Sequence, residues 1–291
     1  MKITAKTPST LAELLMAEFA TASKTTVKSR IAHGNVKVNG KTVTNPAFLL
    51  KEGDEVWYER QAAPVSKIKP PHQVLYEDAS IVVALKPAGL LTIGDRGTGG
   101  TSFYQQMLDW IKEKSGNRER FFVVHRIDRE VSGLLVLAKT EEVQEYLKNH
   151  WEETKKHYFA LVEGTPPKEQ GTIRSWLAEG RDQKVFSTRN KEGAKLAVTH
   201  YRVMDKSAGY TLLEVELETG RKNQIRVHLS EMGCPVVGDR RYGADATFQR
   251  RIRLHAHYLA FRHPETETVM EFKSKMPRGF LVLKEENEKY K

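Results

Sequence analysis

The chain has 291 residues, enough for one large domain or two unequal domains with a substantial core. Its formal net charge of +10 at pH 7 favours a polyanionic partner, because Lys and Arg gain affinity for phosphates by releasing counterions. The single cysteine, Cys234, excludes an internal disulfide and a cysteine-based zinc cluster. No segment approaches the roughly 20 apolar residues of a membrane span, so we expect a cytoplasmic protein without a membrane partner.

The first sixty residues are predicted to form a small unit of their own. Thr10 and Glu13 have the spacing of a helix-capping box, and Leu11, Leu14 and Leu15 then recur at helical spacing. This pattern predicts a helix that begins directly after Thr10.

A second helix is predicted from Ser23 to His33, with Gly34 as its C-terminal stop. Lys24, Lys28 and Arg30 lie on its more polar part. They are candidate contacts for a polyanion, and the alternative is a solvated basic face with no ligand.

A hairpin follows, because Asn39-Gly40 accepts the positive φ values of a type I′ turn between two short strands. A further strand is predicted at Glu55 to Tyr58. Two helices with a basic edge followed by this hairpin resemble the small α-L RNA-binding module named after a small-subunit ribosomal protein. The resemblance covers roughly residues 8 to 60 and implies that Lys24, Lys28 and Arg30 contact RNA.

The composition then changes at Lys69-Pro70-Pro71, which favours an extended connector rather than a helix. We therefore divide the chain into a module at residues 1–60, a linker at 61–73 and a large domain at 74–291. The large domain mixes strands and helices without strict alternation, which predicts an α+β fold. Its predicted strands are Ile81–Leu85, Phe121–Val124, Leu134–Ala138, Lys155–Val162, Thr211–Leu217, Leu254–Phe261 and Val269–Phe272. Its predicted helices run from Thr101 to about Lys114, from Glu141 to Glu153, and along a face marked by Ile225, Leu229 and Met232.

The segment His125–Gly133 is a polar loop between two apolar strands. Strands this apolar are usually buried on both faces, so the loop is anchored in a rigid sheet. It carries Asp128 between Arg126 and Arg129, an arrangement that suits an ionised carboxylate beside a polyanion. A surface loop with an ordinary ion pair explains this stretch equally well.

Four motifs in a fixed order decide between these interpretations. They are Lys86-Pro87-Ala88-Gly89, His125-Arg126-Ile127-Asp128 with Ser132-Gly133, Lys156-x-Tyr158, and Gly220-Arg221-x-x-Gln224-Ile225-Arg226-Val227-His228. In this order they resemble the RluA-like pseudouridine synthases, from about residue 74 to 280. With the N-terminal module the chain resembles the large-ribosomal-RNA branch of that family. Two positions depart from the family pattern: Val131 stands in place of Thr, and Asn223 in place of His.

The resemblance implies a mixed, mainly antiparallel sheet flanked by helices, and a reaction that needs no cofactor. The enzyme breaks the N-glycosidic bond of a uridine, rotates the uracil and rejoins it through carbon. Asp128 is the implied nucleophile, on the ribose or on the uracil ring, as carboxylates are in retaining glycosidases. Arg226 is the implied partner of Asp128, because a guanidinium fork favours the ionised carboxylate and fixes its direction.

The remaining implied roles concern the RNA. Tyr158 and Ile225 would hold the flipped uracil from its two sides, and Arg126 would fill the space that it leaves in the base stack. Lys156 and Arg221 are further expected RNA contacts. His125 is expected to be structural.

No metal site is expected. The pair His255 and His257 lacks a third ligand placed by the sequence.

Two rival functions remain on the sequence alone. One is a non-catalytic RNA-binding or ribosome-assembly factor, which the joint presence of Asp128, Tyr158 and Arg226 disfavours. The other is a hydrolase that releases the base, which requires a second carboxylate that no motif supplies. The expected partner is structured RNA, most simply large-subunit ribosomal RNA with transfer RNA as the alternative, bound by a monomer.

Overall fold

The computed structural model describes residues 2–19, 27–28, 31–32, 34–58, 68–94, 101–245 and 251–281. The chain separates into two compact units, Met1–Lys69 with Asp78–Ser80, and Pro70–Glu77 with Ile81–Lys291. The finer bounds inferred from the sequence, 1–60, 61–73 and 74–291, stay predictions. Among the described residues, no helix is long and apolar enough to cross a membrane.

The first unit holds one described helix and two small sheets. Helix α1 spans Leu11–Glu18, and the strands are β1 (Lys2–Thr4), β2 (Ser9–Thr10), β3 (Val36–Val38), β4 (Lys41–Thr42), β5 (Leu49–Leu50) and β6 (Glu55–Tyr58). The sheets have the orders β1-β6-β3-β4 and β2-β5. The predicted capping box is present, since the Thr10 hydroxyl accepts from the Glu13 amide and the Glu13 carboxylate accepts from the Thr10 amide.

The Asn-Gly turn and part of the second helix are found where the sequence predicts them. Asn39 and Gly40 have φ values of 48° and 80°, as the predicted turn requires. Val27 and Ile31 are helical and buried, and Lys28 beside them is exposed. Lys24 and Arg30 lie outside the described residues.

The second unit is built on one eleven-stranded sheet. Its strands are β7 (Val74–Glu77), β8 (Ile81–Lys86), β9 (Phe122–Val123), β10 (Ser132–Ala138), β11 (Lys155–Glu163), β12 (Gln170–Glu179), β13 (Val185–Thr188), β14 (Lys195–Ser207), β15 (Tyr210–Leu217), β16 (Leu254–Arg262) and β17 (Val269–Lys273). Nine of them follow the order β13-β12-β14-β15-β11-β16-β10-β8-β7, with β17 on β16 and β9 on β10. Among the described strand pairs only β10 and β16 are parallel, so the predicted α+β class with a mixed, mainly antiparallel sheet is confirmed.

Three described helices accompany this sheet: α2 (Phe103–Ser115), α3 (Glu141–Asn149) and α4 (Gln224–Glu231). Ser102 caps α2, one residue after the predicted Thr101, because its hydroxyl accepts from the Gln105 amide. The predicted helix Glu141–Glu153 is two elements, since α3 ends at Asn149 and a 3-10 turn follows at Trp151–Glu153. The thirteen-residue strand β14 does not follow from the sequence pattern.

Strand β10 is a buried strand of this sheet, with Gly133 to Ala138 all buried. At its start Gly133 pairs with Ala256 of β16 and has a φ of 136°. A Cβ atom built on Gly133 would lie 2.3 Å from the Ala256 carbonyl oxygen. The glycine therefore lets β10 and β16 come together directly after the polar loop, and so it fixes where that loop ends.

We expect Gly133→Ala to destabilise the protein by about 3 kcal/mol or more, because it adds a backbone clash to a strained φ. Gly193→Ala is the matched control. Gly193 also has a positive φ, of 70°, but a Cβ atom built on it would meet no atom within 4 Å, so the cost should be about 1 kcal/mol. Urea unfolding measures both changes, and equal losses would contradict the close approach of β10 and β16.

Candidate active site

A cavity of about 550 Å³ lies between the loop after β9, strand β11 and the start of α4. All seven site residues that the sequence singles out in the large domain line it: Arg126, Asp128, Lys156, Tyr158, Arg221, Ile225 and Arg226. The structure therefore brings together three motifs that are far apart in the chain. A cavity of this size holds a small organic group such as a nucleobase with its sugar.

The loop that carries Asp128 is held through its backbone. The Lys86 ammonium is buried and donates to three carbonyl oxygens, those of Pro87, Leu90 and Arg129, at 2.9, 2.6 and 3.2 Å. The Gly89 amide donates to the same Arg129 carbonyl at 2.8 Å. Burial lowers the pKa of Lys86 to about 8, while the charges of Asp128 and Glu130 act to raise it. Lys86 thus positions the loop.

A second tie reaches the residue before Asp128. The hydroxyl of Thr92 donates to the Ile127 carbonyl at 2.7 Å and accepts from the Ile127 amide at 3.3 Å. Thr92 and Ile127 are both buried. Because the residues on both sides of Asp128 are fixed by hydrogen bonds, the carboxylate is presented from a rigid loop.

Arg226 is buried in the first turn of α4, and most of its guanidinium is occupied by a partner that the sequence does not reveal. Its Nε and Nη2 donate to the two carboxylate oxygens of Asp239 at 2.6 and 2.9 Å. Its Nη1 donates to the Asn223 side-chain oxygen at 3.0 Å and lies 3.5 Å from Asp128 Oδ2. The expectation that the fork grips Asp128 is therefore corrected: the fork binds Asp239, and Asp128 receives one looser contact.

The pKa of the Asp128 carboxyl also differs from the expectation that its neighbouring cation lowers it. Burial raises the pKa of the Asp128 carboxyl above its ordinary value and outweighs the opposing effect of Arg226, while the charge of Glu130 raises it further. Glu130 lies 3.7 Å from Arg226 and its side chain is 46% exposed, against 25% for Asp128. For any reaction that uses ionised Asp128, the acidic limb of the pH profile should therefore lie above the pKa of an ordinary Asp.

Tyr158 enters the cavity from β11 and is half-buried. Burial, reinforced by the charge of Asp128, raises the pKa of its phenol, so the hydroxyl stays protonated at neutral pH. Ile225 is buried at the start of α4 and lines the same cavity. The aromatic ring of Tyr158 and the aliphatic side chain of Ile225 thus share a small cavity with the carboxylate of Asp128, and Glu179 also lines this cavity.

His125 and Lys156 lie beside Trp151. The His125 ring stacks on Trp151 at 4.3 Å and its Nε2 accepts from the Val136 amide at 3.2 Å. Burial, with help from the charge of Lys156, lowers the pKa of His125 to about 3, which fits the structural role expected for it. The Lys156 side chain is largely buried, with its ammonium 5.8 Å from the Trp151 ring centre and 3.4 Å from the Trp151 carbonyl oxygen. Lys156 is therefore held against Trp151 in the wall of the cavity.

The two exposed arginines of the cavity differ in how firmly they are held. The Arg221 side chain donates from Nε to the Leu196 carbonyl at 3.0 Å, and its amide donates to Gln224 Oε1 at 3.0 Å. Arg126 is exposed and lines the cavity from the Asp128 loop. Arg221 is thus a fixed part of the wall.

Asn223, the departure from the family pattern, begins α4 with a φ of 54°, a left-handed conformation that Asn tolerates well. Its amide group donates to the Tyr242 hydroxyl at 3.1 Å while its oxygen accepts from Arg226. The Arg226 guanidinium lies over the Tyr242 ring at 5.0 Å. Asn223 is therefore a bridge between Arg226 and Tyr242.

Asp239 and Tyr242 are site residues that the sequence analysis does not identify. Both belong to Gly238-Asp239-Arg240-Arg241-Tyr242-Gly243, a loop whose two arginines suggest phosphate contacts instead. Asp239 is 1% exposed, and a buried carboxylate requires a cation or several hydrogen bonds. Asp239 stands directly before two arginines in this loop, and this pattern gives no sign that Asp239 is buried.

Comparison with known proteins finds two family models and several relatives that this chain resembles. The family model described as RNA pseudouridylate synthase matches residues 80–231, and the S4 domain model matches residues 21–56. An RNA pseudouridine synthase of Aquifex aeolicus is 35% identical over 277 residues, covering 89% of this chain and 87% of its own. The ribosomal large subunit pseudouridine synthase D of Zymomonas mobilis is 32% identical, covering 90% and 88%. The structure of human RNA pseudouridylate synthase domain containing 4 superposes with a TM-score of 0.61 at 25% identity, covering 71% of this chain and 89% of that one.

We expect Asp239→Asn to destabilise the protein by about 3 to 5 kcal/mol, because it leaves the buried Arg226 charge without its two-pronged partner. Glu169→Gln is the control, since Glu169 pairs with Lys206 on the surface and its loss should cost at most about 1 kcal/mol. Chemical denaturation measures both changes. A loss for Asp239→Asn no larger than that of the control would contradict the central position of this pair.

Proposed function

The chain belongs to the RNA pseudouridylate synthase family, and we propose that it isomerises uridines of structured RNA through a covalent bond made by Asp128. RNA pseudouridine synthase activity follows from family membership. The identity of the nucleophile, the flipping of the base and the target RNA are the parts that we propose. The observation that carries them is the Asp128 carboxylate in a cavity shared with Tyr158 and with Arg226 at 3.5 Å.

The reaction is a rearrangement, so atoms balance within the substrate. The bond between the ribose and the uracil nitrogen breaks, a bond between the ribose and a uracil carbon forms, and one proton leaves that carbon while the freed nitrogen gains one. Asp128 attacks the ribose or the uracil ring and is released again when the new bond forms. No oxidant, reductant or group donor is consumed, so the proposed reaction uses no cofactor.

The environment of Asp128 suits a nucleophile because it holds the carboxylate in place and leaves part of its hydrogen-bonding capacity unused. The guanidinium of Arg226 donates its two-pronged hydrogen bond to Asp239, which leaves a single 3.5 Å contact for Asp128. That contact stabilises the ionised form and leaves the other oxygen available to the substrate. The Asp128 side chain is 25% exposed, so most of it is shielded from water that would otherwise compete for the ribose.

The cavity admits a single base, so the uridine must leave the RNA stack at a cost of a few kcal/mol. We propose that Tyr158 and Ile225 hold the uracil from its two sides, and that the Tyr158 hydroxyl, kept protonated, stands where the proton moves. Arg126 is exposed on the Asp128 loop, where its planar group can replace the missing base. Lys156 and Arg221 line the same cavity as proposed contacts for the backbone of the flipped nucleotide.

The target that we propose is large-subunit ribosomal RNA. The support is the S4 domain model match, which indicates a second RNA-binding unit, and the name of the Zymomonas mobilis relative. Transfer RNA is the competing target. The cytoplasmic location and the monomeric state expected from the sequence stay predictions.

We expect Asp128→Asn to lower the rate of uridine isomerisation by at least about 1,000-fold while RNA affinity changes little, because the amide keeps the shape but loses nucleophilicity. Release of tritium from uridine labelled at the reacting carbon measures turnover. Filter binding to the same RNA measures affinity. Substantial turnover by this variant would refute the role of Asp128.

Glu130→Gln is the matched control, because Glu130 lies on the same loop and also faces Arg226, at 3.7 Å. Turnover should survive in this variant. Removing the like charge should also lower the pKa of Asp128, so the acidic limb of kcat/KM should move to lower pH. An acidic limb of kcat/KM that stays in place or moves to higher pH would show that a group other than Asp128 controls this limb.

We also expect the basic residues of the first unit to anchor RNA electrostatically. Replacing Lys24, Lys28 and Arg30 together by Gln should weaken RNA binding and reduce the slope of log affinity against log salt concentration by up to about 2 to 3. Turnover at saturating RNA should be retained. An unchanged slope would mean that this module does not contact phosphates through these residues.

The target itself is tested in cells. Pseudouridines are mapped in ribosomal and transfer RNA from cells with and without this gene, and from cells that carry only the Asp128→Asn protein. The proposal expects at least one site in large-subunit ribosomal RNA to disappear in both mutant strains. Loss confined to transfer RNA would replace the proposed target while leaving the reaction intact.

A further inference from the structure

Three side chains from three neighbouring strands converge on the sheet face opposite the cavity. They are His157 of β11, Glu214 of β15 and His257 of β16, and one ligand atom of each lies within 4.8 Å of those of the other two. Successive residues of a strand point to opposite faces, so His157 points away from the cavity that Tyr158 enters. Within the described part of the chain, this is the one group of three or more His, Cys, Asp or Glu residues close enough to share an ion.

The strand register explains how residues so distant in sequence meet. Glu214 pairs with Phe159 across β15 and β11, and Phe159 is two residues after His157 and so on the same face of β11. Between His157 and Tyr158 the pairing of β11 with β16 shifts by one residue, which leaves His257 as the additional residue of a bulge. The bulge brings His257 to the side of His157, with ring centres 6.3 Å apart.

The three groups are oriented toward one another by their neighbours. Glu214 Oε1 lies 3.4 Å from His257 Nε2 and 3.9 Å from His157 Nδ1. Its second oxygen accepts a hydrogen bond from Arg202 Nη2 at 2.8 Å, which fixes the direction of the carboxylate. Phe159 stacks flat on the His257 ring at 3.7 Å. Such outer contacts are what metal ligands generally use to hold their orientation.

The two imidazoles also have unused hydrogen-bonding capacity. The Nε2 atoms of His257, which faces Glu214, and of His157, which faces Glu216, are buried and have no hydrogen-bond partner among the described residues. Buried polar atoms without a partner are rare in native proteins, and an ion is one of the standard explanations. At 3.4 Å, the contact of His257 with Glu214 is an electrostatic approach that falls short of a hydrogen bond.

We propose that His157, Glu214 and His257 form a binding site for one divalent transition-metal ion, of which Zn²⁺ is the best fit. Two imidazoles and one carboxylate are a typical zinc donor set, with the fourth position left to water. Mg²⁺ and Ca²⁺ prefer all-oxygen sites and are disfavoured by the two nitrogens. Glu216, whose carboxylate lies 3.9 Å from His157 Nε2, supplies a further negative charge beside the ion.

The role that we assign to the ion is to connect three strands, and its fourth coordination position stays open to water. The ion would join β15, β11 and β16 at the bulge and thereby fix the backbone that presents Tyr158 on the other face. The ion takes no part in the proposed isomerisation, and the site stands whichever RNA is the substrate. His255, which the sequence spacing groups with His257, is not a ligand, because its two ring nitrogens hydrogen-bond to Ser132 and Ser274.

The test uses the full chain with any affinity tag removed. The protein is stripped with a chelator and titrated with Zn²⁺ against a chromophoric competitor. The expected result is one Zn²⁺ bound per chain, an unfolding temperature raised by Zn²⁺, and no competition from excess Mg²⁺. Co²⁺ should give the visible absorption bands of a low-coordinate nitrogen and oxygen site. A stripped protein that binds no stoichiometric Zn²⁺ would overturn the proposal.

Ligand identity is tested with His257→Gln and His157→Gln, each of which should weaken Zn²⁺ binding by at least about 100-fold and abolish the Co²⁺ bands. His200→Gln is the matched control, since His200 also faces a carboxylate, Glu218 at 3.2 Å, on the same sheet without a second imidazole. It should bind Zn²⁺ like the unmodified protein. Circular dichroism checks that the variants fold. Undiminished binding by both folded ligand variants, or a loss in the control alone, would overturn the assignment.

Discussion

The buried guanidinium of Arg226 holds together the elements that form one wall of the candidate active site. A charge in the interior costs several kcal/mol unless its hydrogen bonds are satisfied. Asp239 satisfies two of its donor positions and Asn223 a third, and Tyr242 covers its face. The helix α4, the loop at Asp239 and the turn before Gln224 are therefore tied together by one cation. Because these partners neutralise Arg226, Asp128 contributes only one looser contact to this buried charge.

The carboxylate and its cation come from parts of the fold that are held independently. Asp128 lies on a loop fixed by Lys86 and Thr92 through backbone carbonyls, whereas Arg226 is fixed by α4 and Asp239. The two supports meet across the 3.5 Å gap between Asp128 and Arg226 and the 3.7 Å gap between Glu130 and Arg226. A distance set by two rigid supports is more precise than one set by a flexible ion pair, and precision of this kind is what preorganised catalytic groups require.

Local features of this fold could be predicted from the sequence, and features that need two distant segments could not. The capping box at Thr10, the turn at Asn39-Gly40 and the strands on both sides of Asp128 follow from spacing over a few residues. The motif order also indicated that Asp128, Tyr158 and Arg226 share one site. Nothing in the chain marks Asp239 as buried against Arg226, because burial depends on the tertiary packing of a loop that looks polar. Strand β14 was not predicted from the sequence. Its second half is exposed and polar, so it lacks the alternation of a half-buried strand.

The bulge between β11 and β16 shows why the two faces of the sheet have to be considered together. A one-residue register shift cannot be inferred from hydrophobic alternation, yet it decides which side chains of β16 face His157. On one face of β11 Tyr158 enters the cavity, and on the other face His157 meets Glu214 and His257. Because His157 and Tyr158 are adjacent in the chain and flank the bulge, the backbone at the bulge sets the positions of both side chains. The proposed ion behind the sheet would therefore restrain the same backbone that places the Tyr158 ring in the cavity.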